Sequence, residues 1–150
     1  MKILKTIGFW FLSLTWGAIM TVIGACGALW FLIKGKKPKF YKGSVYFVVD
    51  GRWGGVNFGP FFFIDERVSL STIKHEWGHG IQNIVMGPLH VIFSIWSFLR
   101  YWYRRIIVSE KCPAKWRKKR SDLPDYDSYW FEGSATKIGN KYYKEGDYNA

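Results

Sequence analysis

The segment His75-Glu76-Trp77-Gly78-His79 sets two imidazoles four positions apart, with a carboxylate directly after the first. On a helix, positions 75 and 79 share one face a single turn apart, so both rings can reach one metal ion. Glu76 then lies beside them, placed to reach a metal-bound water in place of the metal. The motif uses two of the chain's three histidines. A blander reading makes them two hydrogen-bonded histidines and an exposed acid. Against it, Ile73, Trp77, Ile81, Ile84 and Val85 form the apolar side expected to face a core, leaving 75 and 79 elsewhere. Gly78 and Gly80 each weaken a helix by roughly 1 kcal/mol relative to Ala. That cost has a purpose where a backbone or a substrate must come close.

A catalytic zinc wants three protein ligands and one open position. His90, the remaining histidine, follows the helix-breaking Gly87-Pro88 pair on an apolar stretch, and is expected to be packed instead of ligating. Gln82 and Val85 stand where the metzincin pattern requires Gly and His, which excludes that continuation. A carboxylate is therefore the expected third ligand. Glu132 stands in Tyr129-Trp130-Phe131-Glu132-Gly133-Ser134, an acid among aromatics with small residues beside it, as suits a ligand on a closely packed helix. Asp122, Asp125 and Asp127 compete, but read more simply as first-turn helix charges.

These side chains need elements to hold them. Ser69, Ser71 and Thr72 offer caps for a helix running to about Met86 and stopped by Gly87-Pro88. Ser121, Asp122 and Pro124 predict the start of a last helix over 125–138, ended by Gly139. Upstream, residues 44–49 and 56–64 have strand composition around Asp50-Gly51 and a Gly-rich stretch, and are expected to pair as a hairpin. Pro60 argues for a sheet edge or an irregular strand. The expected fold class is α+β.

The composition, 49% hydrophobic and 20% aromatic over 150 residues, excludes a disordered chain. The mean hydropathy of −0.07 averages unlike parts. Residues 7–33 carry no charge. As one helix they would span about 40 Å, against about 30 Å of hydrocarbon, so residues 1–36 are expected to form a transmembrane anchor ahead of a domain at 37–150. A secretory signal has only about 7–15 apolar residues, and the faint lipoprotein-like Ile23-Gly24-Ala25-Cys26 lies inside the run. Gly17, Thr21, Gly24, Ala25 and Ala28 share a face suited to close helix approach. Lys2 and Lys5 precede the run, whereas Lys34, Lys36, Lys37, Lys39 and Lys42 follow it, which predicts a single-pass protein with its domain in the cytoplasm. Two cysteines cannot make a disulfide framework.

Residues 100–120 hold nine Lys/Arg against Glu110, within a formal net charge of +11. Such a run invites a nucleic-acid reading. Beside an anchor the same charges suit anionic lipid headgroups, at about 1 kcal/mol per Lys/Arg. The expected partners are therefore a peptide or protein substrate and anionic lipid, with no nucleic acid. If apolar residues 88–99 crossed the bilayer, His79 and Glu132 would lie on opposite sides of it. The segment 88–105 is accordingly expected to be interfacial or re-entrant.

The motif at 75–79, followed by a helical Glu in an aromatic setting, resembles the gluzincin metallopeptidases. The order of anchor, metal helix, apolar segment and Glu helix is similar to the membrane-bound HtpX and CAAX-protease type, and the size to a minigluzincin. The resemblance implies a zincin-like domain holding one Zn2+ through His75, His79 and Glu132, with Glu76 as the catalytic base of peptide hydrolysis. It also implies that residues 56–64 form the edge strand that pairs with an extended peptide. Such families often place an Asp four residues after the ligand Glu to orient a motif histidine. Here that position is Thr136, a weaker partner. An oxyanion donor is also needed, and Tyr142 and Tyr143 are candidates. The alternative is a non-catalytic zinc-binding membrane protein, a regulatory or inhibitory partner.

Overall fold

The run Ser-Val-Tyr-Phe-Val-Val at 44–49 is apolar on both of its faces, and the fold covers both. The computed structural model describes residues 2–67 and 69–143, so Met1 and the last seven positions of the expected 37–150 domain lie outside the described residues. In chain order it contains α1 (Lys2–Thr15), α2 (Ala18–Ile33), β1 (Lys39–Tyr41), β2 (Ser44–Val49), β3 (Gly55–Phe58), β4 (Phe61–Asp65), α3 (Leu70–Met86), α4 (Leu89–Val108) and α5 (Trp130–Lys141). Single 3-10 turns lie at Arg120–Asp122 and Tyr126–Ser128. The class is α+β, as expected.

The four strands run in the order β1-β2-β4-β3. The expected hairpin between 44–49 and 56–64 does not form. Residues 56–64 are not one strand: Gly59, at φ 68°, and Pro60 turn them back on themselves, so β3 and β4 make their own antiparallel hairpin. β4 then lies parallel to β2, from Val45 opposite Phe61 to Val49 opposite Asp65. β3 is left at the sheet edge.

Alternation along β2 and β4 sends Tyr46, Phe62 and Ile64 to one side, against Ile73 and Trp77 of α3. Phe47 and Phe63 go to the other side, against Ala28 of α2. Parallel strands covered on both faces read as continuous apolar runs, which accounts for Phe-Phe-Phe-Ile in β4. Phe47 and Phe62 are wholly buried, each stabilising the fold by about 1.5–3 kcal/mol.

The apolar stretch expected as one spanning helix is two helices, α1 and α2, meeting at 100°. No single helix among the described residues is long and apolar enough to cross a membrane; only this bent pair passes on length and composition together. The break is held by α3. Asn83 Nδ2 donates to Gly17 O at 3.3 Å, and a Cβ on Gly17 would lie 2.2 Å from that nitrogen. Thr21 Oγ1 donates to Ser13 O at 2.7 Å and ties α2 back to α1. The small-residue face does serve close approach, but to the sheet: a Cβ on Gly24 would sit 2.6 Å from Phe58 O. Ile7, Phe11, Trp16, Ile23 and Trp30 remain exposed on the outer faces.

α3 begins and ends as expected. Ser69 Oγ accepts from Thr72 N at 3.1 Å, and Gly87, at φ 56°, closes the helix by donating to Asn83 O at 2.8 Å. α4 is one unbroken helix of 20 residues. α5 starts at Trp130, later than expected, because residues 120–128 form the 3-10 turns. Gly139 is not a stop. It lies inside α5, where a Cβ would come 2.2 Å from Lys74 O of α3.

Candidate metal centre

α3 and α5 cross backbone to backbone. A Cβ on Gly78 would lie 2.1 Å from Ala135 O, so only glycine permits the approach. The contact brings Glu132, in the first turn of α5, against the histidine face of α3. His75 Nε2 lies 3.1 Å from Glu132 Oε2, His79 Nε2 lies 3.3 Å from the same oxygen, and the two Nε2 atoms are 3.2 Å apart. Ligand atoms about 2.0–2.1 Å from a tetrahedral zinc stand about 3.3–3.4 Å from one another. The three side chains thus form the base of such a site, and His75, His79 and Glu132 could hold a metal ion.

The outer nitrogens of both rings fix their protonation. Gln82 spends its amide N–H groups on Phe131 O (2.8 Å) and Ser134 Oγ (2.7 Å), so its carbonyl oxygen accepts from His79 Nδ1 at 2.7 Å. Thr136 donates its hydroxyl to Asp127 Oδ2 at 3.0 Å, which leaves an oxygen lone pair for His75 Nδ1 at 2.8 Å. With protons on both Nδ1 atoms, both Nε2 atoms aim bare lone pairs at Glu132 Oε2. Three lone pairs within 3.3 Å of one another repel unless something positive lies among them.

A proton is one positive group that this place favours. Burial disfavours a charged His75, but the hydrogen bond it donates to Glu132, with the charges of Glu76, Glu132 and Asp127 behind it, outweighs burial and raises its pKa. Burial also acts to raise the Glu132 pKa, yet its contacts with His75 and His79 hold it far below the usual carboxylate range. Glu76 is shifted upward by burial, with the two histidines opposing. Its carboxylate makes no hydrogen bond among the described residues and packs against β3, where a Cβ on Gly55 would lie 2.3 Å from its Oε1. Asn57 of β3 fixes that register by donating to Glu76 O at 2.8 Å.

No known protein family, curated protein or solved structure matches the chain.

The site gathers His75, Glu76, His79, Glu132 and Thr136 along one cleft of about 1360 Å³. His90 lines it as well, buried beside Phe131 at 5.2 Å between ring centroids, and is not among the ligand atoms. Tyr142 and Tyr143 are not there. Tyr142 packs on Trp77 of the core at 6.2 Å, and Tyr143 lies under Lys74 Nζ. Asp127 is no helix charge, since α5 begins after it; it supports Thr136. Gln82, Ser97 and Tyr126 were given no role in the site from sequence, and Asp127 was considered only as a competing ligand. Gln82 had a signal, being three positions after His79 on the same helical face. Ser97 Oγ donates to Glu132 Oε1 and lies 3.2 Å from Tyr126 OH. Both belong to segments remote from the motif, so no spacing could have revealed them.

Proposed function

We propose that this chain is a membrane-associated zinc metallopeptidase of the gluzincin type. The observation that carries the reading is the triangle of His75 Nε2, His79 Nε2 and Glu132 Oε2, 3.1 to 3.3 Å on each side, beside buried Glu76, whose carboxylate makes no hydrogen bond among the described residues. Zinc, when bound, supplies the Lewis acidity that polarises a scissile carbonyl and acidifies water. Glu76 takes the proton released by the attacking water and passes it to the leaving amine, a task suited by the upward shift that burial gives its pKa. Tyr126 lines the cleft near Glu132, and burial keeps its hydroxyl protonated, so it can donate to the carbonyl oxygen as negative charge develops. β3, the free sheet edge, borders the cleft and offers its backbone groups to an extended peptide.

The membrane part of the proposal rests on α4, which is amphipathic in the reverse sense. His90, Ser94, Ser97, Tyr101 and Arg104, at helical spacing, line the cleft. Ile92, Trp96, Leu99, Tyr103 and Ile106, at the same spacing, are exposed. With the apolar outer faces of α1 and α2, this surface suits lipid, and the basic segment after α4 suits anionic headgroups. The lysine excess after residue 33 favours the cytoplasmic leaflet.

The test is Glu76→Gln in the full chain, reconstituted with phospholipid and supplied with zinc. Its zinc content should equal wild type, while cleavage of a peptide mixture, read by mass spectrometry, should fall at least about 100-fold. Equal cleavage by both proteins, or none by wild type, would sink the reading.

A further inference from the structure

We propose that the cleft selects peptides carrying carboxylate groups close to the bond to be cut, an inference that rests on the peptidase reading above. Five arginines line the cleft: Arg52, Arg67, Arg104, Arg105 and Arg120. Among the described residues no lysine lines it, although lysine is plentiful in the rest of the chain. The three acids on its wall, Glu76, Asp127 and Glu132, all belong to the metal centre. Among the described residues only Arg67 has an acidic partner, Asp65 at 2.5 Å. Arg105 Nη1 donates to Tyr101 OH at 2.9 Å, and Arg104 donates to Pro124 O, so neither bond neutralises charge. Arg52 and Arg120 are exposed.

These arginines are organised. Tyr101 OH, which holds Arg105, also donates to Trp53 O at 3.2 Å, the residue next to Arg52. Asp65, which holds Arg67, also accepts from Trp53 N at 2.9 Å, which ties Arg67 to the same loop. One corner of the cleft, built from the loop before β3, the start of α3 and the last turns of α4, therefore carries several guanidinium groups. The metal centre and the β3 edge lie along the same cleft. A planar guanidinium matches a carboxylate with two parallel bonds, which an ammonium cannot do. An anionic lipid headgroup is the other candidate for such charge. Lys111, Lys115, Arg117, Lys118 and Lys119 are exposed outside the cleft and suit such a headgroup. The arginines that line the cleft share it with the metal centre and so suit a ligand that also reaches that centre.

The experiment uses zinc-loaded Glu76→Gln protein in phospholipid, so that peptides bind without being cut. Fluorescent peptides of one sequence, with glutamate, glutamine or lysine at the same positions, are compared by anisotropy over a salt series. The glutamate peptide should bind about tenfold more tightly than the glutamine peptide, with the gap closing as salt rises. Arg52→Ala and Arg105→Ala should each remove part of that gap, and Arg52→Glu should move the preference toward the lysine peptide. Zinc content should not change in any of them. No preference for glutamate, or a preference the arginine variants leave intact, overturns the proposal. So does a pattern in which the variants lose binding to phosphatidylserine vesicles but keep peptide discrimination. Wild type that binds with this selectivity yet cleaves nothing would refute the peptidase reading alone.

Discussion

Thr136 and Asp127 act as one support: the threonine hydroxyl donates to the aspartate at 3.0 Å and so turns its lone pair toward His75 Nδ1 at 2.8 Å. A carboxylate thus stands behind His75 at one remove. Thr136 alone would be a weak orienting group; with Asp127 behind it, the hydroxyl is polarised and its direction fixed.

That relay separates two substitutions of similar size. Thr136→Val removes the acceptor and should weaken zinc affinity about tenfold or more in a chelator competition. Thr136→Ser keeps the hydroxyl and should remain near wild type. Equal affinity for all three proteins would show that His75 needs no partner on Nδ1.

Gln82 has the corresponding role for His79, with its carbonyl held in place by bonds to Phe131 O and Ser134 Oγ. Gln82→Ala should lower zinc affinity about 10–100-fold. Ser134→Ala, which leaves the Phe131 bond in place, should cost much less. If both variants hold zinc like wild type, the tautomer of His79 is not set by Gln82.

The α3–α5 crossing depends on glycine. Gly139→Ala would press a methyl group against Lys74 O and should destabilise the chain by about 1–3 kcal/mol in urea titration. Gly8→Ala, in a helix with no atom within 4 Å of the added carbon, should be neutral or stabilising by up to about 1 kcal/mol. Like effects at both positions would mean helix propensity, and not close approach, governs Gly139.

Asp65 gives the loop before β3 its acid sensitivity. Its Oδ2 accepts from Trp53 N at 2.9 Å and Gly54 N at 2.8 Å. The hydrogen bond from Arg67 brings its pKa down from 3.8 to about 2. A carboxylate depressed in the folded state binds protons more readily when unfolded, so it contributes stability above 3.8 that disappears as pH falls toward about 2. Asp65→Asn should flatten the stability–pH profile across that window, measured by urea titration. A slope identical to wild type would show that other carboxylates dominate.

The outward stripe of α4 can be tested without touching the cleft. Trp96→Asp with Leu99→Asp should reduce sedimentation with vesicles of phosphatidylcholine and phosphatidylserine while zinc content stays unchanged. Undiminished sedimentation would remove α4 from the lipid contact.

Local signals in the sequence proved sufficient where one element decides the outcome. The caps of α3 at Ser69 and Gly87 and the shared face of His75 and His79 follow from spacing along a single helix. Glu132 was legible from its aromatic setting. What escaped depends on contacts between distant segments. Residues 7–33 look like one helix until Asn83, far along the chain, binds Gly17 O at the bend. Residues 44–49 and 56–64 look like hairpin partners because composition does not distinguish a parallel neighbour from an antiparallel one, and the turn at Gly59-Pro60 subdivides the second. Gly139 resembles a helix terminator, since a glycine required by a crossing backbone carries the same letter. Asp127 and Tyr126 sit in 3-10 turns, whose weak periodicity leaves little to read.

The glycine crossing also bears on the order in which the centre is assembled. Because main chain lies on main chain at Gly78 and Gly139, the separation of the histidines from Glu132 is set by the scaffold and not by side chains rearranging around an ion. Apolar packing holds that scaffold, so the chain should remain folded when stripped by a chelator, and reloading should require little reorganisation. In this respect it differs from zinc fingers, whose folding waits for the metal.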